Sequence, residues 1–480
     1  MKGVKQKETL ENKVLRFIRD LELIRKGDKI LVAVSGGADS LTLLYILHKL
    51  RAELGISLHI AHLDHQLRDK EAERDARYVA RIARALNIPA TIDKRDVSGY
   101  RSTHNLSLEE AAREVRYSFL AETARALGIN KVAVGHTQND QVETILLHII
   151  RGTGTQGLQG LQPRRIMQFA GHRITLIRPL LNVKREETEE YCAQLHLKPC
   201  QDRSNYSFSH LRNRIRQELL PLLRTYNPGI YDSLLRLGTV AGDELSILEA
   251  EIQEIRPEIT RWEGNALVVS KAGLLKLGPA LQRQFLRQAI GELLGTLKDI
   301  EARHIEEILG ALKKPAGKQI VLPEGLVFRI EYDRYLLGKD LEELTPFPDM
   351  EGEYNIKIPG KTRLPGWAIE ATVIQNNQSA ESAPESPEVL SACFDGDKVG
   401  EVIKVRNRHR GDRFQPLGMR ELKRLGEFMI DARIPQSWRD RVPIFFTPKQ
   451  IIWVAGWRID GRVKVTEGTR RVLYLRLIRE

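Results

Sequence analysis

Between Ile30 and Leu44 an apolar strand runs into Ser35-Gly36-Gly37-Ala38-Asp39-Ser40 and out into an apolar helix. Two adjacent glycines let backbone N–H groups approach an anion closely, and the following helix directs its positive end at the same spot. Ser35 and Ser40 add hydroxyl donors, and Asp39 is placed to hold Mg²⁺ beside phosphates. The chemistry implied is a phosphate cradle. It is not a Walker A loop, because the lysine of G-x-x-x-x-G-K-[ST] is missing, and it is not G-x-G-x-x-G. At average residue usage, a chance S-G-G-x-D-S in a chain of this length is a roughly one-in-a-thousand event. The competing reading, a plain small-residue turn, leaves its strand-to-helix context unexplained.

Three further clusters follow. His62-Leu-Asp-His-Gln-Leu-Arg68 ends the second apolar strand. His62, Asp64 and His65 invite a metal reading, but no Cys and no obvious fourth ligand follow, so nucleotide-facing loop contacts by these three fit better, with Arg68 available to an anion. Arg113 and Arg116 are three residues apart and project from one helical face; the alternative is a solvated face paired with Glu109 and Glu110. Asp140 and Glu143 are again at i, i+3, in a first helical turn, so both carboxylates face one point; the alternative is simple complementarity to the helix dipole.

The elements that must position these residues alternate. Ile30–Val34, Leu58–His62, Ala90–Asp93 and Lys131–Val134 read as strands. Glu11–Leu23, Asp39–Leu54, Glu71–Leu86, Leu108–Leu127 and Asn139–Ile150 read as helices. That order implies an α/β fold with a doubly wound parallel sheet, ligands lying outside the carboxyl ends of its strands. From about Arg216 the pattern becomes leucine-rich at helical spacing, over Glu218–Leu223, Tyr231–Ile255, Leu281–Leu294 and Glu301–Leu312, before two short strands in Ile320–Leu337. Tyr354–Ile358, Ala368–Ile374, Val402–Val405, Ile451–Ala455 and Val472–Ile478 alternate like strands, with a helix near Leu422–Ile430. The expectation is a nucleotide domain over 1–215, a mainly helical domain over 216–345, and a small mixed α/β C-terminal domain over 346–480. Residues 376–388 are polar and proline-punctuated and read as a mobile loop.

Composition bounds the partners. Seventy-five Lys and Arg against 63 Asp and Glu leave a formal charge of +12, which favours a nucleic acid over a small phosphate ligand. No run approaches twenty apolar residues, and the amino terminus has no export signal, so a cytoplasmic location without a membrane is expected. Cys192, Cys200 and Cys393 form no C-x-x-C pair, which suits a reducing compartment. Two basic groups stand apart from the nucleotide clusters. Arg212, Arg214 and Arg216, at i, i+2, i+4, cannot all share one helical face, so some meet phosphates and others are structural. Arg406, Arg408, Arg410 and Arg413 form the second group, with Lys423 and Arg424 nearby.

In this order the blocks resemble the tRNA(Ile)-lysidine synthetases, a family within the PP-loop ATP pyrophosphatases. The resemblance rests on the loop at 35–40, His-x-x-His-x-Leu-Arg at 62–68, Glu-Ala-Ala-Arg-x-x-Arg-Tyr at 110–117, and Asp-Gln-x-Glu-Thr at 140–144. It continues through Arg-Gly-x-Gly-x-x-Gly-Leu at 151–158, Arg178-Pro-Leu-Leu181, Asp202-Arg-Ser-Asn205 and Leu211-Arg-Asn-Arg-Ile-Arg216. Gly411–Met419 and Asp431–Asp440 extend it to the C-terminal domain. One departure stands out. Many members read Ala-His-His-x-Asp-Asp-Gln where this chain has Gly135-His-Thr-Gln-Asn-Asp-Gln141, so Asn139 is uncharged and the weight falls on Asp140 and Glu143.

The resemblance implies a ligase that forms lysidine at the wobble cytidine of an isoleucine tRNA with a CAU anticodon, using ATP, Mg²⁺ and free L-lysine through an adenylated tRNA. It implies ATP contacts at Ser35, Gly36, Gly37, Ala38, Asp39, Ser40, His65 and Arg113, with Mg²⁺ on Asp39. Asp140 and Glu143 would hold lysine, with His136 as candidate base or structural loop histidine. Arg116, Arg212, Arg214, Arg216, Arg406, Arg408, Arg413 and Lys423 would meet tRNA, and a homodimer is one option for the assembly. Two rivals are tRNA 2-thiolation by the same adenylation, which needs paired cysteines, and a non-catalytic RNA-binding protein that only senses ATP.

Overall fold

The first apolar run is buried on both sides, as a central parallel strand must be. In the computed structural model, Ile30 and Val32 face one core and Leu31 the opposite one. The structure describes all residues except 1–7, 67–68, 170–171, 201–210, 298, 342–343, 348–349 and 376–388. Arg68, the 202–205 block and the loop expected at 376–388 therefore lie outside the described residues. The chain divides into two compact units, Met1–Ile247 and Leu248–Glu480.

In the first unit the strands are β1 (Lys29–Ala33), β2 (Ser57–Asp64), β3 (Ala90–Lys94), β4 (Lys131–Ala133), β5 (Arg164–Phe169) and β6 (His172–Ile177). They form one sheet in the order β3-β2-β1-β4-β6-β5, parallel except for the β5–β6 hairpin. The expected doubly wound sheet is present, and its strand order reverses between β1 and β4. Ligands bind at such a switch point, and the loops leaving β1 and β4 carry Ser35–Ser40 and Gly135–His136.

The helices are α1 (Leu10–Asp20), α2 (Ala38–Leu54), α3 (Asp69–Ala85), α4 (Val97–His104), α5 (Leu108–Ala126), α6 (Gln138–Ile150), α7 (Thr155–Leu158) and α8 (Arg185–Gln194). Helices α1, α2, α3 and α8 cover one face of the sheet, and α5 covers the other. After α9 (Leu211–Arg214) comes a wide π-helical turn over Ile215–Leu219, then α10 (Leu220–Tyr226) and α11 (Ile230–Ile259). Val142, Ile145 and Leu146 of α6 bury against Ile215, Leu220 and Leu234. This packing lays the arginine-rich run at 211–216 along the helix that carries Asp140 and Glu143. A π-turn is uncommon and recurs at functional sites.

In the second unit the expected helices lie at Pro279–Leu294 and Ala302–Ala311. They pack on a five-stranded antiparallel sheet made from Thr260–Glu263, Ala266–Ser270, Gln319–Val321, Val327–Ile330 and Arg334–Gly338. The C-terminal part carries a five-stranded and a four-stranded sheet. In the latter, Arg471–Arg479 lies between Trp367–Gln375 and Val389–Asp395. Trp367, Phe394, Phe445 and Trp453 fill the core of that region. A short hairpin pairs Arg413–Phe414 with Lys423–Arg424. Among the described residues no helix is long and apolar enough to cross a membrane.

Candidate functional site

The loop after β1 is shaped by its own small residues. Gly36 has φ +94°, and a Cβ there would sit 3.0 Å from the Cys200 sulfur, so conformation and space both call for glycine. The Ser35 amide and hydroxyl each donate to Ser40 Oγ at 3.2 Å, and Ser40 Oγ donates to the Gly37 carbonyl at 3.0 Å. Gly37 is the N-cap of α2 and has no side-chain acceptor, so the first-turn N–H groups of a 17-residue helix stay open to an anion. Gly135, leaving β4, meets the same turn: a Cβ there would lie 3.0 Å from the Asp39 carbonyl group and the Ser40 nitrogen. The loops of the two switch-point strands are thus in backbone contact.

Asp39 points from this turn toward α8. Its Oδ1 accepts a hydrogen bond from Thr188 at 2.5 Å, and its Oδ2 lies 3.5 Å from Arg185 Nε. Burial pushes its carboxyl pKa up, against the pull of Arg185 and Thr188. Arg185 also lies 3.6 Å from Asp140 and 4.0 Å from Glu143. Asp39, Asp140 and Glu143 therefore surround one guanidinium. The i, i+3 spacing does bring the last two carboxylates toward a common point.

Their other partners differ. Asp140 turns back to accept from the Thr137 amide at 2.9 Å and hydroxyl at 3.0 Å, closing the first turn of α6. Burial alone would raise its pKa, but Arg185, the Thr137 amide and Arg212 hold it down. Glu143 is 1% exposed and accepts a bidentate pair from Arg216 at 2.6 and 2.8 Å, with Arg212 Nε 3.5 Å away. Its charge is committed within the protein, contrary to the expectation of a carboxylate open to an ammonium. Arg212 also donates to Thr144 Oγ1 at 2.7 Å, while Arg214 turns outward to Glu218 at 3.1 Å. The run thus splits as its spacing requires, with the i, i+4 pair inward and the middle residue outward.

His136 does not have the environment of a base. Arg178 Nε donates to its Nδ1 at 3.1 Å, which places the neutral ring's proton on Nε2. Burial, together with Arg178, Arg116 and Arg113, takes its pKa down to about 3 despite the opposing Asp140. Arg178 itself is 1% exposed, and its pKa is brought down by burial to about 10, so it stays cationic. The Arg113 and Arg116 guanidiniums lie 4.9 and 5.3 Å from the centroid of the buried Tyr117 ring. Among the described residues neither forms an ion pair with a carboxylate, and Glu110 instead closes the capping box at Ser107. His65 follows directly on β2 at the same sheet edge.

Sequence reasoning missed Arg185 and Thr188, because the start of α8 reads as a solvated charged turn. It also left Asn139 without a role. The Asn139 side-chain carbonyl accepts from the Arg185 amide at 3.0 Å, a neutral contact that pins the start of α8. The three thiols are poor nucleophiles. Burial raises the pKa of Cys192 and Cys393, and burial with Asp75 nearby takes Cys200 up to about 12.

In the second unit, Arg406 is bidentate to Asp412 at 2.8 and 2.9 Å, Arg408 pairs with Asp440 at 2.6 Å, and Lys423 pairs with Asp431. Three of the four cations expected to meet RNA here are thus already paired. Arg413 is exposed, and with it Arg410, Arg420 and Arg424; among the described residues these four form no ion pair. The exposed Leu417, Met419 and Leu422 lie among them in the sequence.

Comparison with known proteins adds three family matches: a PP-loop domain over residues 6–223, a TilS substrate binding domain over 270–335 and a TilS substrate C-terminal domain over 403–477. The tRNA(Ile)-lysidine synthase of Dehalococcoides mccartyi is 47% identical over 465 residues, covering 97% of this chain and 98% of that protein. That of Caldanaerobacter subterraneus is 33% identical, covering 98% of this chain and 97% of the relative. That of Clostridium acetobutylicum is 31% identical, covering 98% and 99%.

Proposed function

The chain belongs to the tRNA(Ile)-lysidine synthase family, and on that premise we propose that it joins free L-lysine to the wobble cytidine of isoleucine tRNA with a CAU anticodon. The 2-carbonyl oxygen of the cytosine attacks the α-phosphorus of ATP, and pyrophosphate leaves. The lysine ε-amino nitrogen then attacks carbon 2, AMP departs, and lysidine is formed. One observation carries this reading. The open amino end of α2 and the carboxylates of Asp39 and Asp140 lie together at the switch point of the sheet, both carboxylates within 3.6 Å of Arg185. A polyphosphate and a cationic amino acid have their complementary groups side by side there.

In the first step Ser35–Ser40 hold the departing pyrophosphate. Arg113 and Arg116, which form no ion pair with a carboxylate among the described residues, steady the α-phosphate as its charge builds. Mg²⁺ needs only one or two carboxylates besides phosphate oxygens and water. Asp39 suits that role, although the described residues hold no group of three or more metal-ligating side chains. When bound there the ion would neutralise phosphate charge. In the second step Asp140 receives the lysine ammonium, and the ε-amino group sheds its proton before it attacks, because an ammonium cannot attack. His136 donates through Nε2 and is not the base. Glu143 acts through Arg216, holding the 211–216 run in place. Incubation with ATP, labelled lysine and total tRNA tests the scheme. Pyrophosphate release should depend on the isoleucine tRNA and match label incorporated one for one. Equal release without tRNA, or no label in RNA, would refute it.

The second unit contributes RNA affinity in this reading, through Arg410, Arg413, Arg420 and Arg424. Changing all four to Gln should reduce the slope of log affinity against log salt by about 3 to 4, at roughly 0.9 per phosphate contact. An unchanged slope in a folded variant would move the RNA face elsewhere. Truncation at residue 390 is unsuited to this test, because it removes Arg471–Arg479 from beside Trp367–Gln375.

A further inference from the structure

The cradle lacks the lysine that a Walker A loop supplies, yet a triphosphate carries several negative charges and backbone N–H groups carry none to offset them. Among the described residues, Arg185 is the only cation within ion-pair distance of a cradle side chain. Its backbone is held on both sides: its N–H donates to Asn139 Oδ1 at 3.0 Å, and its carbonyl lies 2.8 Å from Thr188 Oγ1, whose single proton is shared between that carbonyl and Asp39. Its side chain is not fixed in the same way. Three nitrogens face three carboxylates at 3.5, 3.6 and 4.0 Å, all longer than the roughly 2.7–2.9 Å of a charge-assisted hydrogen bond. Arg216, by contrast, grips Glu143 at 2.6 and 2.8 Å. The tightly held arginine is structural, and the loosely held one is free to turn.

The geometry points to Arg185 as a catalytic residue that leaves the carboxylates and binds the β,γ-phosphates of ATP, stabilising pyrophosphate as it departs. This rests on the phosphate-cradle reading above. From an anchored backbone, rotation about the side-chain bonds suffices, and a guanidinium fork suits two phosphate oxygens. While Arg185 rests on Asp39, Asp140 and Glu143 it also keeps those carboxylates balanced when no substrate is bound.

The test uses the full chain with inorganic pyrophosphate and with ATP in equilibrium dialysis, comparing the parent with Arg185→Gln and Arg185→Lys. Arg185→Gln should weaken pyrophosphate binding at least about tenfold and slow tRNA-dependent pyrophosphate release about a hundredfold, the loss typical of one preorganised charge donor. Arg185→Lys should recover part of the binding, because the charge is kept and only the fork is lost. Parental pyrophosphate affinity in Arg185→Gln would overturn the assignment. So would Arg185→Lys binding no better than Arg185→Gln, since burial or packing, not charge, would then be responsible. Pyrophosphate binding requires neither lysine nor tRNA. A parent that binds pyrophosphate through Arg185 but makes no lysidine would therefore remove the proposed reaction and leave this residue's role standing.

Discussion

Asp39→Ala should lower tRNA-dependent pyrophosphate release by about 10²- to 10³-fold, the range for loss of a preorganised electrostatic group in an active site. The fold should survive, because the groups around Asp39 have second partners. Without Asp39 the Thr188 hydroxyl can give its proton wholly to the Arg185 carbonyl 2.8 Å away, and Arg185 still faces Asp140. The direction of its pKa shift adds a second signature. Burial raises the Asp39 pKa, so the folded protein binds a proton that the unfolded chain releases. Between the unfolded and the folded pKa, stability then falls as pH rises. At neutral pH the ionised carboxylate is a cost, and Asp39→Asn should melt no lower than the parent while losing adenylation. A parental rate of release in Asp39→Ala would sink the assignment.

The nucleotide half of this molecule was legible because its signals are local. Continuous apolar runs mark strands buried on both faces, and a loop that must bring backbone to an anion leaves glycines and serines in a row. The hairpin over Arg164–Ile177 leaves no such signal, because its edge strand is largely exposed and the pair carries charges such as Arg164, Arg165 and Arg173. The same holds for Thr260–Ser270, where two short strands follow a 30-residue helix with little to separate them in composition. Ion pairing was least legible. The i, i+3 rule correctly turned Asp140 and Glu143 toward one place, but it says nothing of which cation waits there. Arg185 lies 42 residues from Glu143 and Arg216 lies 73 away, and only the packing of α6 against the π-turn brings the latter close. Local spacing likewise marks Arg406 and Arg408 as a basic patch and is silent about Asp412 and Asp440, which neutralise them.

That long-range pairing makes Glu143→Gln the second large effect, and on stability before chemistry. Glu143 is 1% exposed, and Arg216 is 25% exposed. Removing one partner of a fully buried pair costs about 3–5 kcal/mol, and the partial exposure of Arg216 brings the expectation here to about 2–3 kcal/mol. The cost arises mainly from leaving Arg216 and Arg212 without their carboxylate. Arg216→Met in the same chain should therefore restore most of the loss, a coupling that a double-mutant cycle in thermal unfolding would measure. The functional consequence follows from the position of the pair. With Arg216 released, the 211–216 run is held on α6 only by Arg212's bond to Thr144 and by apolar packing, and adenylated tRNA and lysidine should fall together. Both products are followed with ATP and tRNA, with and without lysine. If adenylated tRNA instead formed at the parental rate while the lysine requirement rose, Glu143 would be a direct lysine contact, and its grip on Arg216 would be one that substrate displaces.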